Sequence, residues 1–149
     1  MAAARAFHLT LVTPEKKLLE GAEIEEIFVP GFLGELNILP GHAPLMTTLM
    51  PGVLRYRLKG ESQLHKVAVS WGYCQVNPTG VNVLADTAER PTELDRQKIA
   101  SSIRDAESRL SSSSLESAEL LKVISNLEVD RVREELVSSA GTNSTETTH

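Results

Sequence analysis

Gly34-Glu35-Leu36-Asn37-Ile38-Leu39-Pro40-Gly41-His42-Ala43-Pro44-Leu45 is the stretch on which the reading of the fold turns. Its first half alternates polar and apolar side chains, the period of a short strand. Pro40-Gly41 then forces a turn, and Pro44 biases Ala43 toward extended backbone. Gly34 and Gly41 tolerate positive φ, while the prolines fix φ and remove amide donors. A segment so constrained is a stiff connection at the margin of a sheet. An enzyme could place a histidine here, but His42 has no cysteine or acidic ligand set beside it. The stretch reads as a rigid loop that presents a surface.

Short strands recur on both sides of it. Residues 7–12 set Phe7, Leu9 and Leu11 against His8, Thr10 and Val12, a half-buried strand with His8 outward. A turn follows at Pro14-Glu15-Lys16-Lys17, then a short strand from Leu18 that should break at Gly21. Residues 23–29 predict another strand, although acidic and apolar side chains are mixed on its two faces. Beyond Pro51-Gly52, residues 53–58 alternate cleanly, with Leu54, Tyr56 and Leu58 inward and Arg55 and Arg57 outward. Residues 65–71 and 73–76 continue the pattern, with His65 solvated at a strand start and Gly72 relieving crowding or making a bulge. Asn77-Pro78-Thr79-Gly80 has hairpin-turn chemistry, and residues 81–84 supply the return strand. Many short strands joined by Gly/Pro turns, with no helical period before residue 86, predict a β-sandwich or barrel.

After Asp86 the chain changes character. Residues 92–137 contain no Gly or Pro and are rich in Ala, Leu and charged side chains. Thr92-Glu93-Leu94-Asp95 resembles a helix capping box, and Ile99, Ile103, Ala106 and Leu110 recur on one helical face. The serines 111–114 interrupt the pattern. Ser113-Ser114-Leu115-Glu116 is a second capping box, opening a helix with Leu120, Ile124 and Leu127 aligned. Two narrow amphipathic helices with a short link predict an antiparallel hairpin that needs a surface to lie on. Residues 138–149, rich in Ser and Thr, read as a disordered tail. The expected class is α+β: an antiparallel β-sandwich over 1–88, then a two-helix hairpin over 89–137.

Composition narrows the function. A chain of 149 residues has room for one ordinary domain, or a small domain with an appendage. Its formal charge of −5 leaves no basic stripe to track phosphates, so no nucleic-acid partner is expected. Cys74 is the single cysteine, which rules out an internal disulfide, and its apolar strand marks it as a buried hydrophobe. The N-terminus lacks the apolar core of a secretory signal, and no run approaches the roughly 20 apolar residues of a membrane span. His8, His42, His65 and His149 are scattered, without ligand spacing or a nucleophile elbow, so neither a metal nor a hydrolytic site is expected.

Glu35-Leu36 followed by Ile38-Leu39-Pro40-Gly41-His42-Ala43-Pro44-Leu45 resembles the hallmark segment of the epsilon subunits of bacterial F-type ATP synthases. Pro51-Gly52 is similar too. Val83-Leu84-Ala85-Asp86-Thr87-Ala88-Glu89-Arg90 resembles the family's junction between sandwich and hairpin, and Ala118-Glu119-Leu120 with Leu127 resembles its last helix. The resemblance runs to about residue 137 and implies a non-catalytic central-stalk subunit. The sandwich would contact the gamma subunit and the c-subunit ring, passing proton-driven rotation to the catalytic head. The hairpin would regulate ATP hydrolysis, either folded back or extended along gamma toward the catalytic beta subunits. Membrane association would come only through the complex, at the cytoplasmic face of the bacterial inner membrane.

Carried onto this chain, the resemblance assigns Glu35 and Leu36 to the region facing the c ring, and Gly41, His42, Ala43 and Pro44 to the region facing gamma. Asn37 stands where many members have glycine. Some members sense ATP where the first helix begins, through a Leu-or-Ile, Asp, two variable residues, Arg, Ala pattern. Here Leu94-Asp95-Arg96-Gln97-Lys98-Ile99 keeps the aspartate but has lysine and isoleucine at the last two positions. Lysine offers a point charge and not the planar two-toothed grip of a guanidinium, and helix capping alone accounts for Asp95. Glu89, Asp95 and Lys98 are therefore only weak ATP candidates, and no cofactor is expected, with an ATP-sensing module as the alternative reading. In the second helix Lys122, Arg131 and Arg133 face Glu116, Glu119, Glu128, Asp130, Glu134 and Glu135, an acidic balance for a segment expected to approach acidic beta-subunit surface. Lys122, Glu128, Arg131 and Arg133 are the candidate regulatory residues.

Overall fold

The computed structural model describes residues 6–112 and 114–142, with backbone alone at 140–142. The chain divides into two compact units, with the boundary between Glu89 and Arg90. The first is built of β1 (His8–Val12), β2 (Lys17–Gly31), β3 (Gly34–Ile38), β4 (Leu45–Leu49), β5 (Gly52–Leu58), β6 (His65–Val69), β7 (Gly72–Asn77), β8 (Gly80–Ala85) and β9 (Ala88–Glu89). They form one hydrogen-bonded path, β1-β8-β7-β4-β2-β5-β6-β9, with β3 on β2 and β1 also paired to β2. The long β2 closes the structure: its first part pairs with β1, its second with β5 and β3. The layers enclose one core in which Phe7, Leu9, Leu11, Ile27, Val29, Ile38, Leu54 and Val76 are almost fully buried. Inward positions alternate with outward ones, as the period-2 reading of β1, β5 and β7 requires.

Three details depart from the sequence reading. The sheet is mixed, because β1 and β8 pair in parallel while the other pairs are antiparallel. No tight turn joins those two strands, so nothing imposes the antiparallel direction. Gly21 does not end a strand; β2 runs through it for 15 residues. The ladder with β1 is irregular there, and the Gly21 amide, at φ +66°, donates to Thr10 Oγ1 at 3.1 Å. A second register shift, between Ile24 and Glu26 opposite β5, moves the buried set from Ile24 to Ile27 and Val29. That bulge is why no single period fitted residues 23–29. Finally, β6 stops at Val69, and the added β9 pairs with Ala68 and Val69. Ser70 turns its hydroxyl inward to accept from the Thr87 amide at 2.8 Å. At Gly72 a Cβ would lie 1.9 Å from the Leu84 carbonyl oxygen, so close approach of β8 excludes any side chain.

The second unit opens with a 3₁₀ turn, Pro91–Glu93, followed by α1 (Arg96–Ser111) and α2 (Ser117–Thr142). Thr92 lies inside the 3₁₀ turn and caps nothing; Asp95 is the N-cap of α1, accepting from the amides of Gln97 and Lys98 at 3.0 and 3.2 Å. The reciprocal pair belongs to the turn, where the Arg90 amide donates to the Glu93 carboxylate at 2.8 Å and the Glu93 amide to the Arg90 carbonyl. Ile99 and Ile103 of α1 pack on Leu127 of α2, with Leu94, Ala106, Leu110 and Val137 around them. The α1 stripe is thus as expected, but that of α2 is not. Leu120 and Ile124 are each 38% exposed, and Val123, Leu127 and Asp130 form the buried row. Two helical rows pass through Leu127, and an all-apolar criterion selects the wrong one, because Asp130 is buried in company with partners. The capping box expected at Ser113 falls outside the described residues, and α2 itself starts at Ser117 with the Leu120 amide bonded to the Glu116 carbonyl. The helix continues past residue 137 to Thr142, into the expected tail; residues 143–149 lie outside the description.

Candidate functional site

Two glycines, Gly31 and Gly34, face each other at the end of the β2–β3 ladder and leave Phe32 and Leu33 as the two-residue tip. The Phe32 amide is held by the Thr48 carbonyl at 3.0 Å, which ties the tip to β4. Phe32 is 66% exposed and Leu33 is 95% exposed. Beside the tip, Glu35 meets Arg55 of β5 at 2.9 Å across β2, and that guanidinium lies 4.2 Å above the Phe28 ring. Glu35 is therefore an ordered ion pair and not a free strand-end charge. Leu36 is half-buried against the core, and Asn37 sits exposed in a regular β3 opposite Phe28. Asparagine in that position leaves the ladder undisturbed.

The turn that follows is built as its residues demand. Pro40 and Gly41 are its central pair, Gly41 has φ +88°, and the His42 amide closes it on the Leu39 carbonyl at 3.1 Å. His42 is half-exposed, and its Nδ1–H donates to the Ala43 carbonyl at 2.7 Å. Ala43 and Pro44 are exposed, after which Leu45 enters β4 opposite Val76. Leu39 beside the turn is half-exposed. The segment thus brings Gly41, His42, Ala43 and Pro44 together on one connection, while Glu35 and Leu36 belong to the strand before it.

The neighbouring sheet face adds apolar surface that the sequence reading passed over. Met46, Tyr73 and Leu84 are all at least half-exposed, and Tyr73 pairs directly with both Thr48 and Leu84. The signal was available: if Cys74 and Val76 point inward, Tyr73 and Leu84 on the adjacent strand must point outward. Phe32-Leu33 between two glycines was equally visible as a turn without polar residues. Cys74 itself is fully buried, and burial pushes its thiol up to about 12.

The weak nucleotide candidates hold other positions. Glu89 lies in β9, Asp95 is occupied with two amides of α1, and Lys98 is exposed on the first turn. A cavity of about 270 Å³ lies between α1 and the end of α2, lined by Arg96, Ile99, Ala100, Glu134, Val137 and Ser138, none of them those candidates. Of the regulatory candidates, Lys122 and Glu128 are exposed, Arg131 pairs with Glu107 at 3.4 Å, and Arg133 pairs with Asp130 at 2.9 Å. His65, expected to be solvated, stacks on Tyr56 and bonds Glu61 at 2.7 Å. Among the described residues, no three His, Cys, Asp or Glu side chains converge to hold a metal. No helix among them is long and apolar enough to cross a membrane.

Residues 6–91 match the family model of the ATP synthase delta/epsilon chain β-sandwich domain. That is more than half the chain, which therefore belongs to the ATP synthase delta/epsilon chain family. Within that family the similar curated proteins are epsilon chains. The ATP synthase epsilon chain of Bdellovibrio bacteriovorus is 58% identical over 89 residues, covering 60% of this chain and 64% of the relative, a little under two thirds of its length. That of Geobacter sulfurreducens is 37% identical over 137 residues, covering 92% of this chain and 97% of the relative. The fold matches a chain of the Euglena gracilis mitochondrial ATP synthase OSCP/F1/c-ring structure at a TM-score of 0.76 and 25% identity, over 87% of this chain and 80% of that one. A chain of the Tetrahymena thermophila mitochondrial ATP synthase central stalk and c-ring structure shares the fold at a TM-score of 0.54.

Proposed function

We propose that this chain works in the central stalk of a proton-translocating F-type ATP synthase, where its sandwich couples c-ring rotation to the catalytic head through gamma. It has no active site of its own, and its hairpin regulates ATP hydrolysis by reaching toward the beta subunits. Its place is the cytoplasmic face of the bacterial inner membrane, held there by the other subunits.

The observation that carries this reading is the exposed apolar surface around Phe32, Leu33, Leu39 and Met46 on a backbone stiffened by two prolines and tied strands. Leaving a large apolar side chain in water forgoes about 1.5–3 kcal/mol relative to burying it. A covered partner surface accounts for that cost, and a shape-keeping loop suits a contact that transmits torque. Relatives spanning both units are ATP synthase epsilon chains, which supports the same reading. The test is reconstitution of the chain into an enzyme depleted of its own epsilon chain, measuring ATP-driven proton pumping. The double variant Phe32→Asp with Leu33→Asp, both exposed, should fold normally and pump poorly. Normal pumping by that variant would remove the tip from the coupling surface.

A further inference from the structure

We propose that Ser102, Asp130 and Arg133 form a hydrogen-bonded clasp that sets the register of the helical hairpin and how readily its two helices part. Asp130 is only 6% exposed, yet it sits on the α2 row that carries Val123 and Leu127. One carboxylate oxygen accepts from the Ser102 hydroxyl of α1 at 2.5 Å, and the other accepts from Arg133 at 2.9 Å. A carboxylate out of water is costly unless both oxygens are partnered, and here both are. The two contacts differ in kind. Arg133 is three residues along the same helix and stays with Asp130 wherever α2 goes. Ser102 is on α1, so its bond crosses the seam and is lost when the helices slide or separate.

The seam around the clasp is thin. Among the described residues its buried apolar cluster is Ile99, Ile103 and Leu127, with half-buried side chains at the margins, and Val123 and Leu136 are the other buried apolar side chains of α2. An apolar residue at 130 would thicken it and would be driven back together after each opening. Asp130 behaves otherwise: paired with Arg133, it is hydrated as soon as α1 withdraws. The clasp therefore rewards one register strongly while holding the helices together less firmly than an apolar residue at 130 would, which is how a buried polar group specifies a helix pair.

The full chain carrying Ile103→Cys tests this, because the rate at which a thiol reagent labels that seam position reports helix separation. Peptide mapping distinguishes it from Cys74, whose buried thiol reacts slowly. Adding Ser102→Ala should raise the labelling rate about 5–10-fold, since a bond to a charged group is lost with the carboxylate still in the seam. Ser102→Thr, which keeps the hydroxyl, should restore the parent rate within about twofold. Ser102→Ala combined with Asp130→Leu should label no faster than the parent. An unchanged rate for Ser102→Ala, or a double variant as fast as the single one, would overturn the clasp. So would acceleration accompanied by loss of helical circular dichroism, which would report unfolding and not parting of the helices.

Discussion

Gly41 and His42 are adjacent and ask different things of a substitution. A side chain at Gly41 meets open space, but φ +88° is strained for any residue with a Cβ. Gly41→Val should therefore destabilise the sandwich by about 1–2 kcal/mol in a denaturant melt, which confuses any binding assay. His42 has ordinary backbone, its amide bond to Leu39 does not depend on the side chain, and its ring bonds the carbonyl of its neighbour Ala43, so His42→Glu should cost under about 0.5 kcal/mol. If this loop faces gamma, His42→Glu should weaken copurification with gamma while leaving the melt unchanged; undiminished copurification would take the loop out of that interface. Cys74 gives a pH prediction of a separate kind. Its thiol has an ordinary value near 9 and is raised to about 12 by burial, so the folded state holds the proton more tightly than the unfolded chain. The stability tied to that proton is complete below about pH 9 and is lost as pH rises toward 12. Urea midpoints measured from pH 8 to 11 should fall more steeply for the native chain than for Cys74→Ala, and parallel curves would refute the assignment.

At the scale of elements, alternation and turn chemistry made most strands legible, because β1, β5 and β7 each bury one face over a regular ladder. They failed where the ladder slips. The two bulges of β2 change which parity is buried, and the Gly21 amide finds a partner in a side chain that only the folded sheet brings near. The helix rows show the same limit: Leu127 belongs to two rows, and only pairing across the seam decides between them. The loop carrying His42 was readable because Pro40 and Gly41 encode it locally, whereas the exposure of Met46, Tyr73 and Leu84 depends on register between distant strands. Asp95 shows how one residue serves as motif and cap at once. Its carboxylate already answers the first amides of α1, and the lysine and isoleucine that follow lack the fork needed to grip a phosphate. ATP should accordingly bind the isolated chain with a dissociation constant weaker than about 1 mM, roughly −4 kcal/mol or less favourable. Micromolar binding in a calorimetric titration would reinstate the nucleotide-sensing reading.

At the scale of the molecule, the division at Glu89 separates two kinds of core. The sandwich core draws on residues 7–88 alone, whereas the cluster of the hairpin, among the described residues, centres on Ile99, Ile103 and Leu127. A chain ending at Arg90 retains every strand and every residue of the larger core, so it should remain folded. What it loses is the whole hairpin, including the segment 115–137, which carries three basic against six acidic side chains. Two of the three cations are already engaged, Arg133 with Asp130 and Arg131 with Glu107. Toward an acidic partner surface this helix would be repelled, with salt screening any pair farther apart than about 8 Å. Inhibition of ATP hydrolysis by the hairpin should therefore be weak at low salt. Glu128 is exposed, so Glu128→Arg changes the charge without disturbing the seam and should strengthen inhibition. The measurement is ATP hydrolysis by the assembled soluble head with the full chain, the Glu128→Arg chain or the chain ending at Arg90. Charge control predicts a small release on truncation at low salt and a larger one when the reference is Glu128→Arg, with the gap between the two references narrowing as salt rises. A large, salt-insensitive release from the native chain would mean that α2 blocks the head by steric insertion. Proton-driven synthesis should survive truncation in either case, because the proposed coupling surface, the loop at His42 and the tip at Phe32, belongs to the part that remains.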